Sequence, residues 1–283
     1  MYPRPQDYIP PSGDEFVPKR AHFLNTVFVG IFATAAAGVV AWLFALGGVD
    51  TIKDSIDRAQ FSQSPPWLTL ASPHQHVADS AVLTLGDLPP GWVLANKDDA
   101  DTDEGDVDLE ISEGCKELEK QVDSQGAMAS AQSDRFRGPD KQILRSGTDV
   151  FAGPGEAQGA LEFVRGLFAQ CGNDLVNAFN EGIRRGAEKR GASPSAIQVS
   201  TALHDLGPPS VGESGFVYRI DVTLTGPGGS VNVAVDFIFF RHGRLASGLV
   251  YTAAGGASAD AEQQLMQIAA AKLQAANASF PEA

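Results

Sequence analysis

The chain has 283 residues, 43% of them hydrophobic and 20% charged, a balance that can bury a core and that excludes wholesale disorder. Its 21 Lys and Arg against 35 Asp and Glu give a formal net charge of -14, which argues against nucleic acid as partner, because neutralising phosphates takes clustered cations. Two cysteines exclude a four-thiolate zinc site and a disulfide-dense small scaffold.

Residues 1–22 open with Pro3, Pro5, Pro10, Pro11 and Pro18 around Tyr2 and Tyr8, a composition that favours solvated, extended polyproline II over a packed core. Residues 23–49 then carry no ionisable side chain, and 27–49 is apolar apart from Thr34 and glycines. At 1.5 Å per residue that run reaches about 34 Å as a helix, enough to cross a hydrocarbon core of ~30 Å. A single transmembrane helix is expected. A cleaved signal peptide is the rival reading, but its apolar region is shorter and ends in a small-residue cleavage pattern absent here. Lys19 and Arg20 abut the run, whereas Lys53 and Arg58 on the far side are interspersed with Asp50, Asp54 and Asp57. Positive residues favour the cytoplasm, so residues 1–22 are expected inside as a cytoplasmic tail and 50–283 outside.

Residues 50–79, rich in Gln, Ser and Pro up to Pro73, read as a stalk. The remainder, 80–283, has the size of one domain. Its pattern predicts a short strand at 92–95, a helix over 112–122 with Ser112 as N-cap, and strands at 130–137 and 142–151. Ala157, Ala160, Leu161, Val164, Leu167 and Phe168 recur at helical spacing, as do Leu175, Val176, Phe179 and Ile183 beyond Gly172-Asn173, which predicts two tandem helices. Strands follow at 196–204, 215–225, 230–241 and 244–252, then a helix over 258–277. The fold class expected is α+β, with a twisted antiparallel sheet and helices packed on one face.

The last strands can be registered. A turn at Gly226-Pro227-Gly228-Gly229 pairs Thr225 with Ser230, sets Phe216, Tyr218, Ile220 and Val222 against Phe239, Phe237, Val235 and Val233, and puts Arg219 opposite Asp236 on the reverse face. A two-residue turn at His242-Gly243 then sets Phe239 against Ala246 and Phe237 against Gly248. The two phenylalanines are expected beneath the C-terminal helix, and the Arg219–Asp236 pair on the less apolar, exposed side.

Cys115 and Cys171 both fall in the segment expected outside, where disulfides persist, so they are expected to be bonded; no C-x-x-C spacing supports a redox role. Twelve acids against Lys116 and Lys120 fill residues 98–123. Asp99, Asp101 and Asp103 alternate and Glu110 stands where a calcium loop has its bidentate Glu, but the turn position that needs glycine is Glu104, with Gly105 one residue late; a solvated acidic loop is the plainer reading. His74, His76 and Asp79 share a face only if that stretch is extended. Arg184, Arg185, Lys189 and Arg190 complement a helix C-terminus and offer a possible contact for anionic headgroups or an acidic polymer. Gly212-Glu213-Ser214-Gly215-Phe216 lacks the last glycine of a nucleophile elbow, and neighbouring His204 and Asp205 have no nucleophile in view. Neither an enzyme nor a cofactor or metal is expected.

The motifs Leu85-Gly86-Asp87-Leu88-Pro89-Pro90-Gly91-Trp92, a Cys in the first helix and another at a helix end, Val211-Gly212-Glu213-Ser214-Gly215-Phe216 and Phe239-Phe240-Arg241-His242-Gly243 resemble, in that order, the extracellular sensor domains of actinobacterial PknH-type receptor kinases and related envelope lipoproteins. No kinase domain precedes the membrane helix. The resemblance implies an antiparallel sheet with helices and a ligand-holding cleft. The expected function is a membrane-anchored cell-envelope protein with an extracytoplasmic ligand-binding or sensor-like module. Its partners would be the lipid bilayer and an envelope ligand, a cell-wall component or apolar molecule. The alternative is an accessory subunit of a larger membrane complex, with a membrane-protein partner.

Overall fold

The computed structural model describes residues 72–95, 112–122, 126–189, 198–226, 229–255 and 258–280. The Pro-rich tail, the run 23–49, the stalk up to residue 71, the acidic positions Asp99 to Glu110 and Arg190 lie outside these residues. Among the described residues no helix is long and apolar enough to cross a membrane.

Chain order is α1 (Pro73–Ala81), a 3-10 turn (Leu85–Asp87), β1 (Val93–Leu94), α2 (Glu113–Val122), β2 (Ala129–Gln132), β3 (Phe136–Arg137), β4 (Ile143–Val150), α3 (Pro154–Lys189), β5 (Gln198–Gly207), β6 (Ser214–Gly226), β7 (Gly229–His242), β8 (Leu245–Ala254) and α4 (Ala259–Ala278). The strands form one sheet in the order β1-β3-β4-β8-β7-β6-β5, with β2 also paired to β4. Every pairing is antiparallel. The mixed helix and antiparallel-sheet architecture is the one expected from the sequence.

The β6–β7 register matches the expectation pair for pair: Phe216 opposes Phe239, Tyr218 opposes Phe237, Arg219 opposes Asp236 and Thr225 opposes Ser230. The next turn differs by two residues. His242 pairs with Leu245, so the loop is Gly243-Arg244, and Phe239 opposes Gly248 while Phe237 opposes Val250. Gly243 has φ +56, the positive angle that a tight hairpin needs at its first central position, and this draws the turn one residue onward. Because the shift is even, every side chain keeps its face.

Two cores lie on opposite sides of the sheet. On one side Phe216, Tyr218, Ile220, Val233, Val235, Phe237 and Phe239 pack with Leu161, Val164, Leu167, Phe168 and Phe179 of α3. On the other, Val217, Ile238, Phe240, Leu249 and Tyr251 pack with Val77 and Ala78 of α1 and Leu265, Met266, Ala269 and Leu273 of α4. Phe237 and Phe239 therefore lie beneath α3, not beneath the C-terminal helix as the sequence reading placed them.

The same arrangement corrects the expected exposure of Arg219 and Asp236, since α4 covers their face and Asp236 is 0% exposed. Its carboxylate accepts bidentately from Arg219, from Nε at 2.6 Å and Nη2 at 2.9 Å, and Arg219 Nη2 also donates to Glu262 of α4 at 3.0 Å.

The tandem helices are one helix of 36 residues. Gly172 makes no break because it forms a notch: a Cβ there would stand 2.7 Å from Leu203 Cδ2 of β5. Asn173 continues the helix, and Asp174 accepts the Ser112 backbone N–H at 3.0 Å just ahead of α2. Ser112, through its side chain first and its backbone N–H second, holds the Asp174 carboxyl below its ordinary value.

Cys115 of α2 and Cys171 of α3 are bonded, with Cα atoms 5.9 Å apart, and the bridge closes a 56-residue separation that the chain-entropy model values at ~4 kcal/mol. The packed domain includes Pro73 onward, within the stretch read as stalk. Ser72 Oγ caps α1 by accepting the Gln75 N–H, and Pro73 takes the first helical position, where its missing N–H costs nothing. His74, His76 and Asp79 thus stand on a helix rather than on an extended chain, and His74 packs against Phe280 with ring centroids 6.1 Å apart.

Candidate functional site

At one end of the sheet the loop before β6, the end of β7 and the middle of α4 enclose an open groove of about 440 Å³. Val211, Phe240, Ala270, Ala271 and Leu273 give it apolar walls, and Glu213, His242, Gln267 and Gln274 bring polar groups to it. The loop can lie on the end of β7 because position 212 is glycine, with φ +79: a Cβ there would stand 3.0 Å from the Arg241 carbonyl oxygen and 3.0 Å from Phe240 Cβ.

A hydrogen-bond lattice fixes the rim. Glu213 accepts from Arg241 Nη1 at 2.5 Å and from the Gly243 N–H at 3.2 Å, and His242 Nδ1 lies 3.3 Å from the same carboxylate. Arg241 Nε donates to Gln158 of α3 at 2.7 Å, and Gln158 Oε1 also accepts from Ser214 Oγ at 2.5 Å. One arginine thus ties the loop, the β7–β8 turn and α3 together. Such a rim is preorganised, so an incoming molecule would not have to order it. Further along α4, Lys272 bonds Asp87 of the 3-10 turn. Burial pushes the Asp87 carboxyl upward, but Lys272 and Thr84 outweigh it and the net shift is downward.

A second polar cluster is buried between sheet and α4. Across four strands His204, Arg219, Asp236 and Tyr251 stand directly opposite one another, so their side chains share one face. Burial raises the Asp236 carboxyl in spite of Arg219. Glu262 is pushed up to about 7, by burial first and by the Asp236 charge second, with Arg219 opposing. The Tyr251 phenol is raised by burial and then by Glu262 and Asp236, and its buried hydroxyl has no hydrogen-bond partner among the described residues. Two carboxyl groups therefore compete for one guanidinium in a desolvated site, an arrangement that favours a retained proton.

Among the sequence-derived candidates, Arg184 and Arg185 both pair with Glu181, at 2.9 Å each. They sit with Lys189 in the last turns of α3, at the end of the helix away from Gln158 and the groove. His204 and Asp205 face opposite sides of the sheet, His204 pairing with Asp221 and Asp205 with Arg165, each at 3.3 Å, which explains why the two neighbours form no joint site. Among the described residues no group of three or more His, Cys, Asp or Glu is placed to hold a metal. Glu213, His242 and Glu262 were not candidates in the sequence. The first two were legible only as a failed catalytic motif and a turn, and Glu262 as an ordinary acid in the first turn of a helix.

No protein-family model matches the chain, and no curated protein does. Among solved structures, the extracellular domain of PknH from Mycobacterium tuberculosis is similar over 55% of this chain and 67% of that one, at 12% identity and a TM-score of 0.29. An overlap that slight leaves the functional reading to the chemistry of this chain's own residues.

Proposed function

We propose that the chain is a membrane-anchored cell-envelope protein whose extracytoplasmic module binds a ligand, a cell-wall component or apolar molecule, in the groove between α4 and the end of the sheet. The groove carries this reading: its ~440 Å³ falls in the size range of small-molecule sites, and apolar walls with a few convergent polar groups are their usual lining. The apolar run 23–49 supplies an anchor, and the bonded cysteines suit an oxidising compartment. The accessory-subunit reading draws support from the sheet edge, where Val93 and Leu94 of β1 are 44% and 49% exposed, as a docking surface would be.

Native mass spectrometry of the full chain purified in mild detergent separates the two. A small-molecule adduct present in the wild type and lost when Ala270→Trp fills the groove is the expected result. An adduct that survives Ala270→Trp, or a stoichiometric protein partner with no small-molecule adduct, would overturn the groove assignment.

A further inference from the structure

We infer that Asp236, Arg219 and Glu262 form a proton-operated latch, in which one proton retained by the two carboxyl groups holds the first turns of α4 on the sheet and its loss loosens them. The inference does not depend on the groove being a ligand site. It begins with charge counting. Asp236 is 0% exposed and Glu262 8%, and the only cation bonded to either among the described residues is Arg219. With both acids ionised the cluster carries a net negative charge out of water, and that charge is costly. With one proton bound the cluster is neutral.

Among the described residues no second cation is bonded to the cluster. Asp221, on the same face of β6, adds to the negative potential at Asp236 and is itself paired with His204 of β5 at 3.3 Å. Tyr251 of β8 presents a neutral phenol, and Asp140 adds a weaker negative influence on that phenol. On α4, Asp260 stands in the same first turn as Glu262, while Lys272 is engaged with Asp87. On α1, which also packs against α4, His74 makes a tilted ring contact with Phe280 beyond the C-terminal end of α4, and Asp79 accepts from Gln75 at 2.9 Å; His76 is exposed.

Geometry makes the cluster a latch. Asp236 and Arg219 belong to central strands, whereas Glu262 belongs to α4, so the charge imbalance lies across the seam between helix and sheet. Once that seam opens, water solvates Glu262 and its carboxyl returns toward its ordinary value of 4.5 from about 7. The docked state consequently binds more protons than the open one between those two values. Docking is strongest at acid pH and weakens as pH rises through that window, with no further change above it. The same helix supplies Gln267, Ala270, Ala271, Leu273 and Gln274 to the groove, so loosening its first turns reaches the groove wall within two turns.

Hydrogen exchange of the full-length chain in detergent, followed at pH 5 to 8.5 and corrected for the intrinsic pH dependence of exchange, tests the latch. Protection of the α4 amides around Leu265 and Met266 should fall by about tenfold or more, relative to β6 and β7, between pH 5 and pH 8. Glu262→Gln, which keeps the shape and a neutral group facing Arg219, should abolish that fall. Should Glu262→Gln not fold, Asp236→Asn serves the same purpose, because one carboxylate then matches one guanidinium. A wild-type profile that is flat over this range, or an equal fall in the neutral variant that folds, would overturn the inference.

Discussion

Arg219→Met should destabilise the domain by about 3–5 kcal/mol at pH 8, the cost typical of removing one partner from a buried ion pair. Arg219 is the single bonded cation of Asp236 and Glu262 among the described residues, so its loss strands two buried carboxyl groups. The methionine fills much of the volume, which keeps the loss from being one of packing. The deficit should shrink on acidification, because both carboxyl groups are already raised by burial and are neutralised further by protonation. Arg165→Met is the control. Its partner Asp205 is 3.3 Å away, and the two side chains are 52% and 40% exposed, so about 1 kcal/mol or less is expected. Urea unfolding with an unchanged slope reads both values.

Phe237→Ala should cost about 3–5 kcal/mol, as truncation of a buried aromatic does when the cavity cannot collapse. Phe237 is 0% exposed, its ring lies 5.5 Å from that of Phe168, and Phe168 in turn stacks on Tyr218 at 4.7 Å. The site is held between a rigid sheet and α3, so little can move in to fill it. The same urea experiment measures the loss, and a loss below 1 kcal/mol would mean that the α3 face is not tightly packed. Phe237 follows Asp236, the partner of Arg219, along β7, yet the two substitutions act on opposite sides of the sheet. One fails by losing apolar contact, the other by stranding charge.

The β6–β7 hairpin was legible to the residue because a Gly-Pro-Gly-Gly turn and period-two alternation determine the same pairing from two directions. Alternation says which residues share a face but is silent about what covers it, and there the sequence reading failed. It treated the Arg219 face as solvated. Yet β7 carries Ala234, Ile238 and Phe240 between Val233, Val235, Phe237 and Phe239, an apolar run on both faces, which is the mark of a strand covered on both sides. Asp236 within that run was thus a buried acid in plain view, and only the position of α4 shows that Glu262 joins it.

Helix boundaries failed for opposite reasons at two places. At Gly172 a break was read where the residue serves close packing against Leu203, which no local pattern reveals. At Ser72-Pro73 a start was missed, although Ser at the cap followed by Pro at the first helical position is a recognised signature. The groove was less legible than either, because its walls come from the loop before β6, the end of β7 and α4, which meet only once the sheet is formed.

The proposed topology, in which the folded domain lies outside the membrane and the apolar run 23–49 is its anchor, is tested most directly by cysteine labelling in intact cells with a membrane-impermeant maleimide. A cysteine introduced at Ser64 should be labelled, and one at Ser12 should react only after the membrane is permeabilised. Labelling at Ser12 with none at Ser64 before permeabilisation would contradict the account.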